Sequence, residues 1–407
     1  MDRAGIRCVT GRLRRRIATS RQFPMKHPRH IICLLALSTG CAVSAEPPTE
    51  DRVQGLYEGM WKDAAASAKA EGRCVAMGDR TYKLLVRRTV DGSVQRAELD
   101  GVTDPRTGAV TFGGTVSGTA WEAGYGDGVI TGTAGDQDRL ELRRLERTPP
   151  SLARKPPAGA IVLLDGRSFD EMKRSGNKPW YLGPMSEHGW PIWEVPLRFS
   201  GAREPKAWPG KDNPLPEGWS ILPERRQVDA VVGIDGDGSI QMPRGGMESA
   251  RSFKGSFDAH VEFQCNFNPK ARGQGRGNSG VYLPNGQEIQ VLDSFGTGTY
   301  LGGGCGGLYK KKDPDCMEPI PSLEGKEDGS FTLASLPPLE WQTYDIEFRT
   351  TKEPDGKGKG LLTVCHNGIK IHDAVETKPA TGGKWRFQDH GNSVRYRNIW
   401  VVERNGE

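Results

Sequence analysis

Gly277-Asn278-Ser279-Gly280-Val281-Tyr282-Leu283 and Gln287-Glu288-Ile289-Gln290-Val291-Leu292-Asp293, joined by Pro284-Asn285-Gly286, form the stretch on which the fold turns. The joint is a tight-turn signal of the hairpin kind, and the run after it alternates. Ile289 and Val291 point to one side of a strand, Glu288 and Gln290 to the other. A strand with one buried face would more usually expose Thr, Lys or Ser. This one exposes a carboxylate and an amide, with Asp293 just beyond, and a bulge near Leu292 would return Asp293 to their side. Such a row of hydrogen-bonding groups on a rigid surface suits a sugar, although a solvated sheet edge would carry the same pattern.

The period of two recurs downstream. Ala259, Val261, Phe263 and Cys265 oppose His260, Glu262 and Gln264, and Tyr344, Ile346 and Phe348 oppose Asp345, Glu347 and Arg349. Leu361 to Cys365, Ile369 to Ile371 and Tyr396 to Val402 are further strand-like runs, with Asn367-Gly368 as a hairpin turn. Many short strands, many turns and no helical repeat predict a mainly β chain. For residues 158–407 they predict an antiparallel two-sheet jelly-roll sandwich.

Upstream, residues 46–147 read as a small antiparallel β domain. Its strand-like runs are Arg80 to Arg88, Ser93 to Leu99, Ala109 to Phe112, Gly128 to Gly132 and Arg139 to Leu145, with Asp91-Gly92 and Asp127-Gly128 as turns. One alanine-rich helix is expected over Trp61 to Glu71. Residues 148–157 are a proline-marked linker, stiff rather than floppy. Residues 176–235 hold five of the chain's ten tryptophans without strand or helix period. Tryptophan argues against disorder, so this insert is either a loop wall over a sugar site or a segment packed by its own aromatics.

Residues 1–45 read as a leader. Met25-Lys26-His27-Pro28-Arg29-His30 is a charged n-region that marks Met25 as the start. Ile31 to Val43 is an apolar h-region too short to span a bilayer, and Val43-Ser44-Ala45 is a small-residue cleavage site before Glu46. The expectation is export to the periplasm, cell surface or medium without a transmembrane span. Cys41 fits a lipoprotein signal less well, because Ser38 sits where an aliphatic residue is preferred. The leader holds nine Lys/Arg and one Asp; taking its +8 from the formal +5 of the chain leaves −3 on the body. A mildly acidic body gives no reason to expect nucleic acid. Export permits disulfides. Cys305 and Cys316 are the best candidate pair, and Cys265 and Cys365 sit in strand-like runs as small core residues.

The motifs now in view are familiar as a set. Arg276-Gly277-Asn278-Ser279-Gly280-Val281-Tyr282, the strand Glu288 to Ser294, and the closing Gln388-Asp389-His390-Gly391-Asn392 with Arg395 to Trp400 resemble the 3-keto-disaccharide hydrolase domain family. Leu164-Asp165-Gly166 and Trp341-Gln342-Thr343-Tyr344 do so too. The likeness runs from about Ala158 to Glu403 and leaves the N-terminal β domain outside it. The resemblance implies a concanavalin A-like sandwich, as in lectins and laminarinase-type glucanases, an exported bacterial protein and a carbohydrate substrate. The tryptophan-rich insert departs from the compact family pattern, which bears on substrate size and access.

That activity has a stated chemistry. A ketone at C3 of a sugar acidifies the C2 hydrogen, and the glycosidic oxygen at C1 lies β to the resulting carbanion and leaves by elimination; water adds back. The site needs a base at C2, an acid near the leaving oxygen and a donor or cation at the C3 oxygen. Displacement by two carboxylates is the other route. Glu288 or Asp293 is the candidate base and His390 the candidate acid or enolate-side donor. Asn278, Gln290 and Gln388 would bind sugar hydroxyls, with Tyr309 or a tryptophan as the stacking platform. Arg395 and Arg397 read as partners of acids or backbone within the sheet. No metal is assigned, but Glu288 and Asp293 with main-chain oxygens could hold a divalent cation. The alternative function is a non-catalytic, lectin-like sugar-binding protein on the same surface, since the fold hosts both.

Overall fold

The computed structural model describes residues 48–404 apart from 65, 166–169, 176–196, 200–220, 224–237, 244 and 353–357. The first strands are β1 Gly55–Lys62, β2 Ser67–Gly78, β3 Thr81–Val90 and β4 Ser93–Thr103. They are followed by β5 Val110–Val116, β6 Thr119–Gly126, β7 Val129–Ala134 and β8 Asp138–Leu145. Each pairs antiparallel with the next, and β8 returns to β1 with Leu145 opposite Leu56, closing a barrel. Alternation makes the barrel possible. Tyr82, Leu84 and Val86 on β3 and Leu140 and Leu142 on β8 turn into its core, while Arg139, Glu141 and Arg143 face water. Closure satisfies the strand edges that an open sheet of this length would expose. Asp127-Gly128 has φ of 48° and 78°, the paired positive values that a two-residue hairpin turn requires.

The helix expected over Trp61 to Glu71 gives way to strand. Trp61 lies in β1 and Ser67 opens β2, with a turn between them in which the Ala66 amide donates to the Asp63 carboxylate at 2.8 Å. A short alanine-rich run has only a weak helix preference. Here it loses to the burial of Trp61, which meets Trp121 edge-on at 5.7 Å under the guanidinium of Arg88, 4.4 Å from its ring.

The second half builds the predicted sandwich. Its strands run β9 Ile161–Leu164, β10 Met172–Arg174, β11 Leu197–Phe199, β12 Ile221–Pro223, β13 Ile240–Gln241, β14 Met247–Ser249, β15 Ser256–Gln264 and β16 Ser279–Tyr282. Then come β17 Glu288–Val291, β18 Met317–Pro319, β19 Ser330–Thr332, β20 Gln342–Lys352, β21 Gly358–His366, β22 Ile369–Thr377, β23 Arg386–Phe387 and β24 Arg395–Arg404. The back sheet has the order β13-β24-β15-β20-β21-β22, with β9 also paired to β24. The front sheet has the order β10-β14-β23-β16-β17. Between them lies one core: Phe257, Val261, Phe263, Ile346 and Phe348 from the back meet Met247, Val281, Ile289 and Phe387 from the front. Phe257 stacks on Phe348 at 4.9 Å and takes Trp385 edge-on at 5.2 Å. Of the tryptophan-rich stretch, Leu197–Phe199 and Ile221–Pro223 pair as a ribbon, and the rest lies outside the described residues.

The polar side of the back sheet is buried too. Residues 151–154 lie across it: Ser151 Oγ donates to Thr343 Oγ1 at 2.9 Å, and the Ala153 amide to Glu262 at 2.5 Å. Beneath them His260 stands 2.8 Å from Asp345 and 3.3 Å from Glu262, and Arg397 pairs with Glu262 at 2.7 Å. The proline-marked segment is therefore docked rather than free. The expected Cys305–Cys316 bridge is not formed. Cys305 is buried 3.3 Å from the Tyr344 hydroxyl, and Cys316 is 3.3 Å from Thr332 Oγ1.

Barrel and sandwich pack directly. Arg73 of β2 is held between Phe295 at 4.9 Å and Phe331 at 5.1 Å, and it donates to the carbonyls of Leu333 at 2.6 Å and Ser335 at 3.0 Å. Leu85 on the outside of the barrel meets Ile320 and Phe331 of the sandwich, and Leu56 and Val75 meet Phe295 and Leu336. Among the described residues no helix is long and apolar enough to cross a membrane.

Candidate functional site

The front sheet has two unlike faces. Met247, Phe387, Val281 and Ile289 are cross-strand neighbours that point into the core. One residue along each strand, Glu248, Arg386, Tyr282 and Glu288 form the matching row on the opposite face. The next row is Gln388, Gly280 and Gln290, with Gly280 opposite Gln290 in register and the Gln388 amide on the Gly280 carbonyl at 2.9 Å. Period-two geometry thus converts a hydrophobic code on one side into a polar strip on the other.

Gly280 makes room there. A Cβ at that position would lie 2.2 Å from Glu288 Oε1, so the carboxylate is folded flat across the glycine. Glu288 keeps only 7% exposure, and its carboxyl is raised above the ordinary range, first by burial. A hydrogen bond from Tyr282 and the charge of Arg386 pull the other way. Tyr282 is itself raised by burial and by the Glu288 charge, so its phenol stays a donor at neutral pH. Gln388 Nε2 donates to the Tyr282 hydroxyl at 3.4 Å, and the Arg386 guanidinium lies 4.8 Å over the Tyr282 ring.

Tyr309 follows on the far edge, where its amide donates to the Glu288 carbonyl at 3.2 Å. Its hydroxyl is 2.8 Å from that of Tyr300, and Lys310 Nζ stands 5.4 Å over its ring. At the other end of the strip the amides of Asn278 and Gln290 both donate to Gln274 Oε1, at 3.0 and 2.8 Å. Gln274 in turn donates to Thr299 Oγ1 at 3.1 Å and to the Gly303 carbonyl at 2.9 Å. Asn278 Oδ1 and Gln290 Oε1 are left as buried acceptors without a hydrogen-bond partner among the described residues.

The structure therefore brings Glu288, Gln290, Asn278, Gln388 and Tyr309 together on one face. Asp293 is not among them. No bulge returns it to that side; its carboxylate is fully buried against Arg276, 3.0 Å from Nε and 2.8 Å from a terminal nitrogen, and the Phe295 amide approaches its other oxygen at 3.4 Å. A charge in that position needs a countercharge, and Arg276 supplies it. A cation shared by Glu288 and Asp293 has no basis in this arrangement. His390 is exposed in the turn beyond β23, two residues past Gln388, where its carbonyl accepts from Asn392 at 3.2 Å. Arg395 and Arg397 bond within the sheet, to Ser239 and Glu262 respectively.

Tyr282, Arg386, Gln274 and Tyr300 were not singled out by the sequence. Two of them had a signal. Val281 between Gly280 and Tyr282, and Arg386 between Trp385 and Phe387, alternate as plainly as the Glu288 strand does. Gln274 and Tyr300 lie in loops with no period to mark them.

Residues 203–402 match the model of the 3-keto-alpha-glucoside-1,2-lyase-like domain family, which takes in every residue of the polar strip and leaves the barrel out. Among solved structures, a proposed glycosyl hydrolase of Parabacteroides distasonis is 24% identical over 61% of this chain and 85% of its own, with a TM-score of 0.39. A xylan β-1,4-xylosidase of Bacillus halodurans is 10% identical over 82% of this chain and 65% of its own, with a TM-score of 0.21. No curated protein matches. The family match likens residues 203–402 to a carbohydrate-active domain.

Proposed function

We propose, starting from the lyase-like family of residues 203–402, that the chain is an exported enzyme that cleaves 3-keto-glycosides, with Glu288 as the base at C2. The observation that carries the reading is the desolvated carboxylate laid across Gly280 in the middle of a polar strip. A carboxyl raised by burial is a stronger base than an exposed one. Glu288 takes the C2 proton as the C2–H electron pair moves into the enolate. Arg386 and, once Glu288 carries the proton and no longer needs its hydrogen bond, the Tyr282 hydroxyl are the donors for the charge on the C3 oxygen. The C1–O bond then breaks, and the Tyr309 hydroxyl, hydrogen-bonded to that of Tyr300, protonates the leaving oxygen. Water then adds its hydroxyl to C1 and gives its proton to the Tyr309 phenolate, while the Glu288 carboxyl, having exchanged with solvent, returns a proton to C2, so the net change is hydrolysis. Asn278, Gln290 and Gln388 hold hydroxyls of the same sugar ring.

The route leaves an isotopic mark. In D2O a 3-keto-glucoside is expected to give product carrying deuterium at C2 from the first turnovers, read by NMR against an enzyme-free control. Product with hydrogen retained at C2 would mean direct displacement. Saturable binding with no product would mean a lectin-like protein.

Export rests on the leader alone. N-terminal sequencing of the mature chain is expected to begin at Glu46, in material recovered outside the cytoplasm. An uncleaved chain retained in the cytoplasm would end that part of the proposal.

A further inference from the structure

We infer that the N-terminal barrel braces the active site, and that Lys270, Arg272 and Arg276 are positioning residues that tie the rim of β2 to the amide cluster. The kinetic side of this inference rests on the function proposed above; the structural side does not.

The rim runs from Ala76 to Asp79. Arg276 donates to the Ala76 carbonyl at 3.3 Å, Arg272 to the Met77 carbonyl at 2.6 Å, and Lys270 Nζ pairs with Asp79 at 2.5 Å. Gly78, at φ of 84°, is so close that a Cβ there would come within 3.0 Å of the Lys270 Cα and 2.6 Å of its Cγ. The rim is itself fixed, since the Ala76 amide donates to Gln54 Oε1 at 3.0 Å. Three successive contacts therefore hold residues 270–276 against the barrel. Gln274 lies within this segment and Asn278 just past it, and Gln274 Oε1 accepts from the amides of both Asn278 and Gln290.

A second segment is seated in the same way. Phe295 lies under Arg73, and a Cβ on Gly296 would be 2.4 Å from Val75. A few residues on, Thr299 receives the Gln274 amide at 3.1 Å. Arg276 closes the circuit between the two segments by pairing with Asp293, just past the end of the Glu288 strand. Gln274 is thus gripped from both sides by loops that rest on one barrel wall. A loop held only by its own turn would be among the first parts of a sandwich to open. The barrel lies outside the family domain, and this contact gives it a part in the site that the domain alone does not supply.

The test uses the full chain carrying Lys270→Ala and Arg272→Ala, two exposed anchors whose loss should leave both cores folded. Amide hydrogen exchange across 273–278 is expected to rise by about tenfold or more while β20 stays as protected as before. With a 3-keto-glucoside, KM is expected to rise about tenfold with kcat within about threefold, the pattern of lost substrate positioning. Unchanged exchange in 273–278, an equal rise in β20, or a loosened loop with unaltered KM each overturns the inference. If the unmodified chain turns over no keto-glycoside, the function proposed above fails, and the exchange measurement still decides whether the brace exists.

Discussion

Glu288→Gln is expected to lower kcat on a 3-keto-glucoside by about 10²- to 10⁴-fold, the usual contribution of a positioned general base. The substitution is close to isosteric, so the side chain can still lie across Gly280 and accept from Tyr282. What it loses is the ability to take a proton. KM should therefore move little, since the amide still presents an oxygen to the same neighbours, and the loss should appear almost wholly in kcat. Folding should survive or improve, because burial raises the Glu288 carboxyl and a neutral group no longer carries that cost. The pH profile supplies the sign. The base works only when ionised, so wild-type kcat/KM should rise with pH through a midpoint above the ordinary carboxylate value, and the residual activity of the variant should lack that limb. Retention of more than about a tenth of the wild-type kcat would remove Glu288 from the base position.

How much of this was legible in the sequence depends on whether a residue's surroundings repeat along the chain. Val281, Ile289, Phe387 and Met247 alternate with their neighbours, and alternation determines which face of a sheet meets the core. Glu288 and Gln290 could be assigned to the polar side for that reason. The barrel's strands were readable one by one, but closure depends on β1 meeting β8 across the whole domain, with Leu56 opposite Leu145, and no local signal reports it. The Trp61 to Glu71 helix shows the limit from the other direction. Alanine content is local, whereas the burial of Trp61 against Trp121 is set by strands far away in the chain. His390 illustrates a third case. A histidine in a glycine-flanked turn near catalytic motifs looks chemical, but an exposed turn fixes its backbone more firmly than its ring.

Asp293 has surroundings that do not repeat along the chain either, and its replacement should have the second largest effect, on stability rather than chemistry. Sequence places it two residues past Val291 with only polarity to go on; the structure buries it beside Cys265 and against Arg276. Its carboxyl is raised because burial outweighs the stabilising neighbours, so the pair as a whole is a poor source of folding energy. Removing one member is another matter. Asp293→Ala leaves the Arg276 guanidinium buried without its countercharge and should cost about 3–5 kcal/mol in denaturant unfolding. Arg276→Met with Asp293→Leu together should cost well under the sum of the two single changes, because neither then strands a charge. Kinetics separate this role from that of a base. Per folded molecule, Asp293→Ala should lose far less kcat than Glu288→Gln, with its deficit in KM, as expected of a residue that holds the Gln274 loop through Arg276 rather than touching the sugar. A stable Asp293→Ala protein with kcat as low as that of Glu288→Gln would reverse the assignment, making the carboxylate beside Arg276 the chemical group and the polar strip a secondary feature.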